Sequence, residues 1–110
     1  MTPRAAPRGV THTAPASVWA WQEQAACAGM PLWLFFGHDG EDPLHADLRE
    51  ARAKEVCQEC PLATWRACLE TALQARPIDQ HGVQAGYTAD ERRNIRAARV
   101  RKATKHRRAA

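Results

Sequence analysis

The chain has 110 residues, of which 45% are hydrophobic, 25% charged and 6% aromatic, a size and composition that fit one small domain. No apolar run approaches the roughly 20 residues that a bilayer span needs, and Met1–Ser17 holds three prolines and two arginines with no apolar signal core. These features set aside membrane and secretory classes and leave the expectation of a cytoplasmic protein. The formal charge of +4 hides a segregation: Met1–Gln22 carries +2, Glu23–Glu91 carries −7 with all twelve acids, and Arg92–Ala110 carries +9 with none. An acidic body with a basic tail suggests two kinds of partner, although composition does not choose among nucleic acid, acidic protein and membrane surface.

In chain order, Thr2–Pro15 is rich in Pro, Ala and Thr and reads as a disordered leader, here bounded at 1–16. Ser17 is placed to cap a short helix through Ala26 that brings Trp19 and Trp21 ahead of Cys27. The patch Leu32-Trp33-Leu34-Phe35-Phe36 is short for a helix and has no strand partner in view. A loop with Gly37, Asp39, Gly40, Asp42 and Pro43 follows. Leu44, Leu48 and Ala51 recur at helical spacing and predict a helix up to Val56 and Cys57 with that face inward. Leu62, Trp65, Leu69, Ala72 and Leu73 form a cleaner stripe ended by Pro77. Thr88-Ala89-Asp90-Glu91 has the pattern of a capping box and starts a last helix that runs into the basic segment. With no alternating strand runs, the fold class is all-α and small. Its parts are a helical domain over 17–76, a Gly-containing turn over 77–87 and a basic helix and tail over 88–110.

About 70 residues remain to pack, a size at which a chain usually needs a metal, a disulfide or a partner as reinforcement. The four cysteines are the candidates. Cys57 and Cys60 form C-x-x-C, Cys68 follows after seven residues, and Cys27 stands thirty residues upstream of Cys57. In a cytosolic protein this pattern favours a thiolate-bound metal or cluster over disulfides. Pro61 suits a helix start after the second thiol, where its missing N–H costs nothing. Spacing alone does not separate an iron–sulfur cluster from a zinc bound by four cysteines. A thioredoxin-type pair would need a preceding strand, whereas Cys57-Gln58-Glu59-Cys60 ends a helical pattern. His12 and His106 fall in the ends of the chain. His38, His45 and His81 have no ligand-type neighbour at i+3 or i+4.

Trp21 to Cys27, Leu34-Phe35-Phe36, Arg49 to Cys57, Cys60-Pro61-Leu62, Cys68-Leu69 and Gly82-Val83-Gln84-Ala85-Gly86, with Thr88, Glu91, Arg92 and Arg93, together resemble the WhiB-like (Wbl) family of actinobacteria and their phages. The resemblance covers roughly Trp19 to Arg101. It implies a small helical transcription factor whose one four-iron four-sulfur cluster is held by Cys27, Cys57, Cys60 and Cys68 and responds to oxygen and nitric oxide. It also implies docking on region 4 of a principal sigma factor of RNA polymerase, through Trp33, Phe35, Phe36 and the turn residues Gly82, Val83, Gln84 and Gly86. The basic C-terminus is then expected on promoter DNA, with Arg92, Arg93, Arg96, Arg99, Arg101, Lys102, Lys105, Arg107 and Arg108 as contacts made mainly to phosphates. No catalytic set is evident, so the expectation is a regulator and not an enzyme. The alternatives are a zinc-stabilised interaction module and a cluster-free protein disulfide reductase acting through Cys57 and Cys60.

Two departures from the family pattern carry consequences. The family usually has five residues between its third and fourth cysteines, and here there are seven. Two extra residues on a continuous helix rotate the last sulfur by about 200°, so the spacing predicts a delayed helix start, with Thr64 as N-cap and Pro61–Ala63 in a turn. In the turn, the family's typical Gly-Val/Ile-Trp-Gly-Gly becomes Gly82-Val83-Gln84-Ala85-Gly86. Ala85 resists the positive φ a glycine accepts, and Gln84 supplies no aromatic anchor.

Overall fold

A computed structural model describes residues 20–109, so the leader, the Ser17 cap and Trp19 lie outside the described residues. The four α-helices are α1 (Leu32–Phe36), α2 (Pro43–Cys57), α3 (Leu62–Leu73) and α4 (Ala89–Ala109). Short 3-10 turns at Ala20–Gln24 and Pro77–Asp79 complete the secondary structure, and among the described residues there is no strand, only a bridge between Gln84 and Tyr87. The all-α expectation is borne out. No described helix is long and apolar enough to cross a membrane.

The apolar patch becomes a helix of one and a half turns. Leu34 and Phe35 point into the core while Leu32, Trp33 and Phe36 remain exposed. It is tied to α2 by Arg49, whose guanidinium donates to Glu41 (2.7 and 3.0 Å) and to the Leu34 carbonyl (3.0 Å). The Arg49 hydrogen bond holds the Glu41 carboxyl below its usual range. That clamp decides which face of α2 turns inward, and it is not the expected one. Ala53 and Cys57 are buried, whereas Leu44 and Leu48 are exposed. At 100° per residue, Leu44 lies about 180° around the helix from Ala53. Asp42 caps α2 by accepting from the His45 N–H (3.3 Å), with Pro43 in the first turn.

The delayed start of α3 is corrected. Pro61 is its N-cap, and the Trp65 N–H already donates to the Pro61 carbonyl at 2.9 Å, so the helix runs from Leu62 and Thr64 is a buried first-turn residue. Proline presets φ near the value needed there and has no N–H to leave unpaired, which makes the earlier start favourable. Leu69, Ala72 and Leu73 of the stripe are buried, Trp65 is half-buried, and Leu62 faces solvent.

The capping box forms as expected: Thr88 N–H donates to Glu91 (2.8 Å) and Glu91 N–H to the Thr88 hydroxyl (3.2 Å). Between α3 and α4, Gln84–Tyr87 closes a tight turn with reciprocal 3.0 Å hydrogen bonds. Its central residues Ala85 (φ 54°) and Gly86 (φ 78°) both have positive φ, as a type I′ turn requires. Ala85 therefore takes the conformation it resists, at a cost of about 1 kcal/mol. Its methyl is buried against Leu69 and Leu73, and its carbonyl accepts from Trp65 Nε1 at 2.9 Å, which offsets that cost.

The turn separates two small cores. Val83 belongs with Leu34, Phe35, Ala53 and Cys57, and Ala85 with Leu69 and Leu73, next to Trp65, Cys68, Tyr87 and Ile95. Gly82 (φ 64°) permits the close approach of α1. A Cβ there would press into the Phe36 ring and lie 2.8 Å from the Phe35 carbonyl oxygen. Gly82→Ala is therefore expected to lower stability by about 2–4 kcal/mol, the strain of positive φ plus overpacking, read as a drop in the denaturant midpoint at unchanged m-value. An unaltered midpoint would mean that α1 does not seat on this turn.

Candidate metal centre

Each cysteine reaches its place by a local device. Cys27 sits in the turn after the first 3-10 segment, closed by the Met30 N–H donating to its carbonyl (2.9 Å). Cys57 is the last residue of α2 and is buried. The turn between α2 and α3, with the Cys60 N–H on the Cys57 carbonyl at 3.2 Å, places Cys60 three residues on. Cys68 lies in the second turn of α3, four residues after buried Thr64 and four before buried Ala72, so it shares their inward face. No rotation away from the other thiols results, because α3 packs on the Ala20–Gln24 segment that leads into the Cys27 turn.

All four cysteines line one cavity of about 190 Å³. Its other walls are mainly apolar and include Trp21, Ala25, Phe36, Trp65, Val83 and Ala85, with Thr64 and Gln84 as polar members. A second cavity adjoins it at Cys57 and Cys60 and is bordered by Gln58, Leu62 and Gly86. Backbone amides face the sulfurs: Ala26 N–H donates to Cys60 Sγ (3.3 Å), and the amides of Gly86 and Ala85 favour the thiolates of Cys57 and Cys68. Burial acts in the opposite sense and prevails. It raises the Cys27 and Cys57 thiols above their ordinary range and pushes Cys68 up to about 11.

A set of four cysteine donors is soft and suits zinc and iron–sulfur guests alike. Among the described residues, no three His, Cys, Asp or Glu side chains are already drawn around one point.

The residues expected at the two interfaces divide. Trp33 and Phe36 are exposed, with Trp33 stacked on His38 at a centroid distance of 5.8 Å. Phe35 and Val83, expected at a docking surface, are core residues instead, because α1 is short and its inward pair fills the space beside Ala53. Gly82 lies beneath Phe36, Gly86 lies beside Cys57, and half-buried Gln84 turns its amide to the His81 carbonyl (3.2 Å).

Among the nine expected DNA contacts, Arg92 is corrected outright. It is wholly buried, and its guanidinium is used by Gln80 and the carbonyls of His81, Gly82 and Tyr87. Arg93 reaches the Pro77 and Gln80 carbonyls and Asp90, Arg96 reaches the Leu73 carbonyl (3.2 Å), and Arg99 grips Glu70 through two 2.9 Å bonds. Arg101, Lys102, Lys105, Arg107 and Arg108 are exposed, with no ion-pair partner among the described residues. Gln80 was not foreseen. It is buried, and its amide closes the C-terminus of α3 by donating to the Ala72 (2.9 Å) and Ala75 (2.8 Å) carbonyls. No spacing signal marks such a residue.

Comparison with known proteins agrees with this architecture. A family described as "Transcription factor WhiB" matches residues 21–95. The transcriptional regulator WhiD of Streptomyces coelicolor is 41% identical over 80 residues, which cover 73% of this chain and 68% of WhiD. The redox- and pH-responsive transcriptional regulator WhiB3 of Mycobacterium tuberculosis is 40% identical over 77 residues, 70% of this chain and 72% of WhiB3. The transcriptional regulator WhiB1 of the same species is 35% identical over 81 residues, covering 74% and 89%. With the matched segment spanning the four cysteines, the turn and the root of the basic helix, the chain belongs to the WhiB family of transcription factors.

Proposed function

We propose that this protein is a redox- and nitric-oxide-responsive transcriptional regulator that carries one four-iron four-sulfur cluster on Cys27, Cys57, Cys60 and Cys68. The observation that carries the reading is the gathering of four thiols from three separate segments around one apolar cavity. When bound, the cluster supplies one-electron chemistry and reactivity toward oxygen and nitric oxide. The chain contributes four thiolates, amides directed at three of them, and apolar walls that limit water. Exposed Cys27 is the ligand nearest to solvent.

Protein prepared without oxygen is expected to be brown, with about four irons per chain. Serine at Cys27, Cys57, Cys60 or Cys68 removes the colour. Because the thiols of Cys27, Cys57 and Cys68 are raised and ligation needs thiolates, loading near pH 7 releases protons, and cluster affinity rises with pH through the neutral range. Colourless protein with one zinc per chain overturns the reading.

Docking on region 4 of the principal sigma factor would use the exposed apolar residues beside the cavity, Met30, Leu32, Trp33 and Phe36. A half-exposed tryptophan amid apolar neighbours is a typical interface anchor. Trp33→Ala is expected to weaken sigma binding by about 2 kcal/mol or more while the iron content stays unchanged. Equal affinity in titration calorimetry would place the docking surface elsewhere.

Promoter DNA would be met by the distal half of α4. With four of its nine cations engaged within the fold, five remain for phosphates. The plot of log K against log salt is then expected to slope by about −4.5, at ~0.9 per contact. Removing Arg101–Ala110 flattens that slope and leaves the cluster spectrum intact, since the Arg96 and Arg99 contacts to α3 are retained. An unchanged slope would reduce this segment to a solubilising extension.

A further inference from the structure

Arg92 is buried to the last atom, and its guanidinium donates to Gln80 Oε1 (2.8 Å) and to the carbonyls of His81 (2.7 Å), Gly82 (2.9 Å) and Tyr87 (2.6 Å). All four acceptors are neutral. Among the described residues no carboxylate pairs with it, unlike Arg49, Arg76, Arg93 and Arg99. A cation withdrawn from water into neutral surroundings is costly unless negative charge lies near. The neighbouring groups that carry such charge once ligated are Cys57 and Cys68, which line the cavity walled by the same turn that Arg92 holds at Gly82 and Tyr87, with Gly86 of that turn against Cys57.

The acceptors also have a pattern. Gly82 and Tyr87 flank the Val83–Gly86 turn, whose Val83, Gln84 and Ala85 line the cysteine cavity and whose Ala85 and Gly86 amides face Cys68 and Cys57. Arg92 therefore holds that turn against the thiols from behind. It is also a first-turn residue of α4, with its own N–H on the Thr88 carbonyl (3.0 Å). Only a planar group with five donors serves four acceptors spread around one centre; a lysine has three donors on a single atom.

We propose that Arg92 is a positioning residue for the cysteine site, the buried counter-charge of the loaded cluster, and that it fixes the turn over the sulfurs and the root of α4 with the same guanidinium. The inference rests on the cluster reading above. Four thiolates leave the loaded site net negative, and one-electron reduction makes it more so. A fixed cation favours the reduced form, and its removal lowers the potential.

The test uses full-length protein loaded anaerobically with iron and sulfide and titrated with dithionite under spectroscopic control. Arg92→Gln is expected to shift the reduced-to-oxidised ratio about tenfold toward the oxidised form, ~59 mV for one electron. Arg92→Lys, which keeps the charge with fewer hydrogen bonds, should stay within about threefold of the parent. An Arg92→Gln potential within twofold of the parent overturns the proposal, as does an Arg92→Lys shift as large as that of Arg92→Gln, since a merely structural role would not separate them. If Arg92→Gln does not fold, Gln80→Glu sets a carboxylate on Arg92 Nε and should lower the potential in the same sense, and an unchanged value there also overturns it. Parent protein that takes up no iron and sulfide overturns the cluster reading itself. Parent protein that loads while the variants leave the potential unmoved overturns only the role of Arg92.

Discussion

The guanidinium of Arg92 and its four acceptors are the constraint on which the rest of the arrangement depends. Hydrogen bonds from a charged donor contribute roughly 1.5–3 kcal/mol each, and orphaning a buried carbonyl costs about 1–3. Satisfying several at one point leaves the 80–87 segment little freedom. Gln80 extends the same network to the end of α3 through Ala72 and Ala75. Three parts that pack through few side chains, namely α3, the turn and α4, thereby share one polar junction. Lys54 on Glu91 (3.1 Å) adds α2 to it at the rim.

Around this junction the apolar packing is thin. Each core contains only a few buried side chains, and the cysteine cavity lies where they would otherwise meet. Under the cluster proposal, a guest bonded to thiolates from three segments would supply contacts that the small cores lack, and its loading would then be coupled to folding.

The long basic helix divides along its length for a simple reason. Its first three turns lie against α3 and the 77–82 segment, where unpaired carbonyls at helix ends and Glu70 attract arginine donors. Beyond Val100 none of the described residues packs on it closely enough to bury a side chain, and the cations there are exposed. A single run of charge thus becomes two sets with different work, one internal and one outward.

Local rules in the sequence determined the all-α class, the capping box at Thr88, a helix from Leu44 up to Cys57 and the stripe of α3. Each depends on residues within one or two turns of one another, where propensity, capping and periodicity act. Where those local rules were asked about facing, they failed. Leu44 and Leu48 looked like the buried face of α2 until Arg49, reaching Glu41 and the Leu34 carbonyl, turned the opposite side inward. The seven-residue spacing before Cys68 looked too long for a continuous helix. Yet Pro61 starts that helix at once, and the position of its neighbours, not its own phase, brings the sulfur to the cavity. Arg92 looked like one more cation in a basic run, because in sequence it differs in nothing from Arg93 or Arg96. Only the tertiary structure distinguishes them, since burial of a charge is decided by acceptors brought from other segments, and no local pattern encodes where those carbonyls will meet.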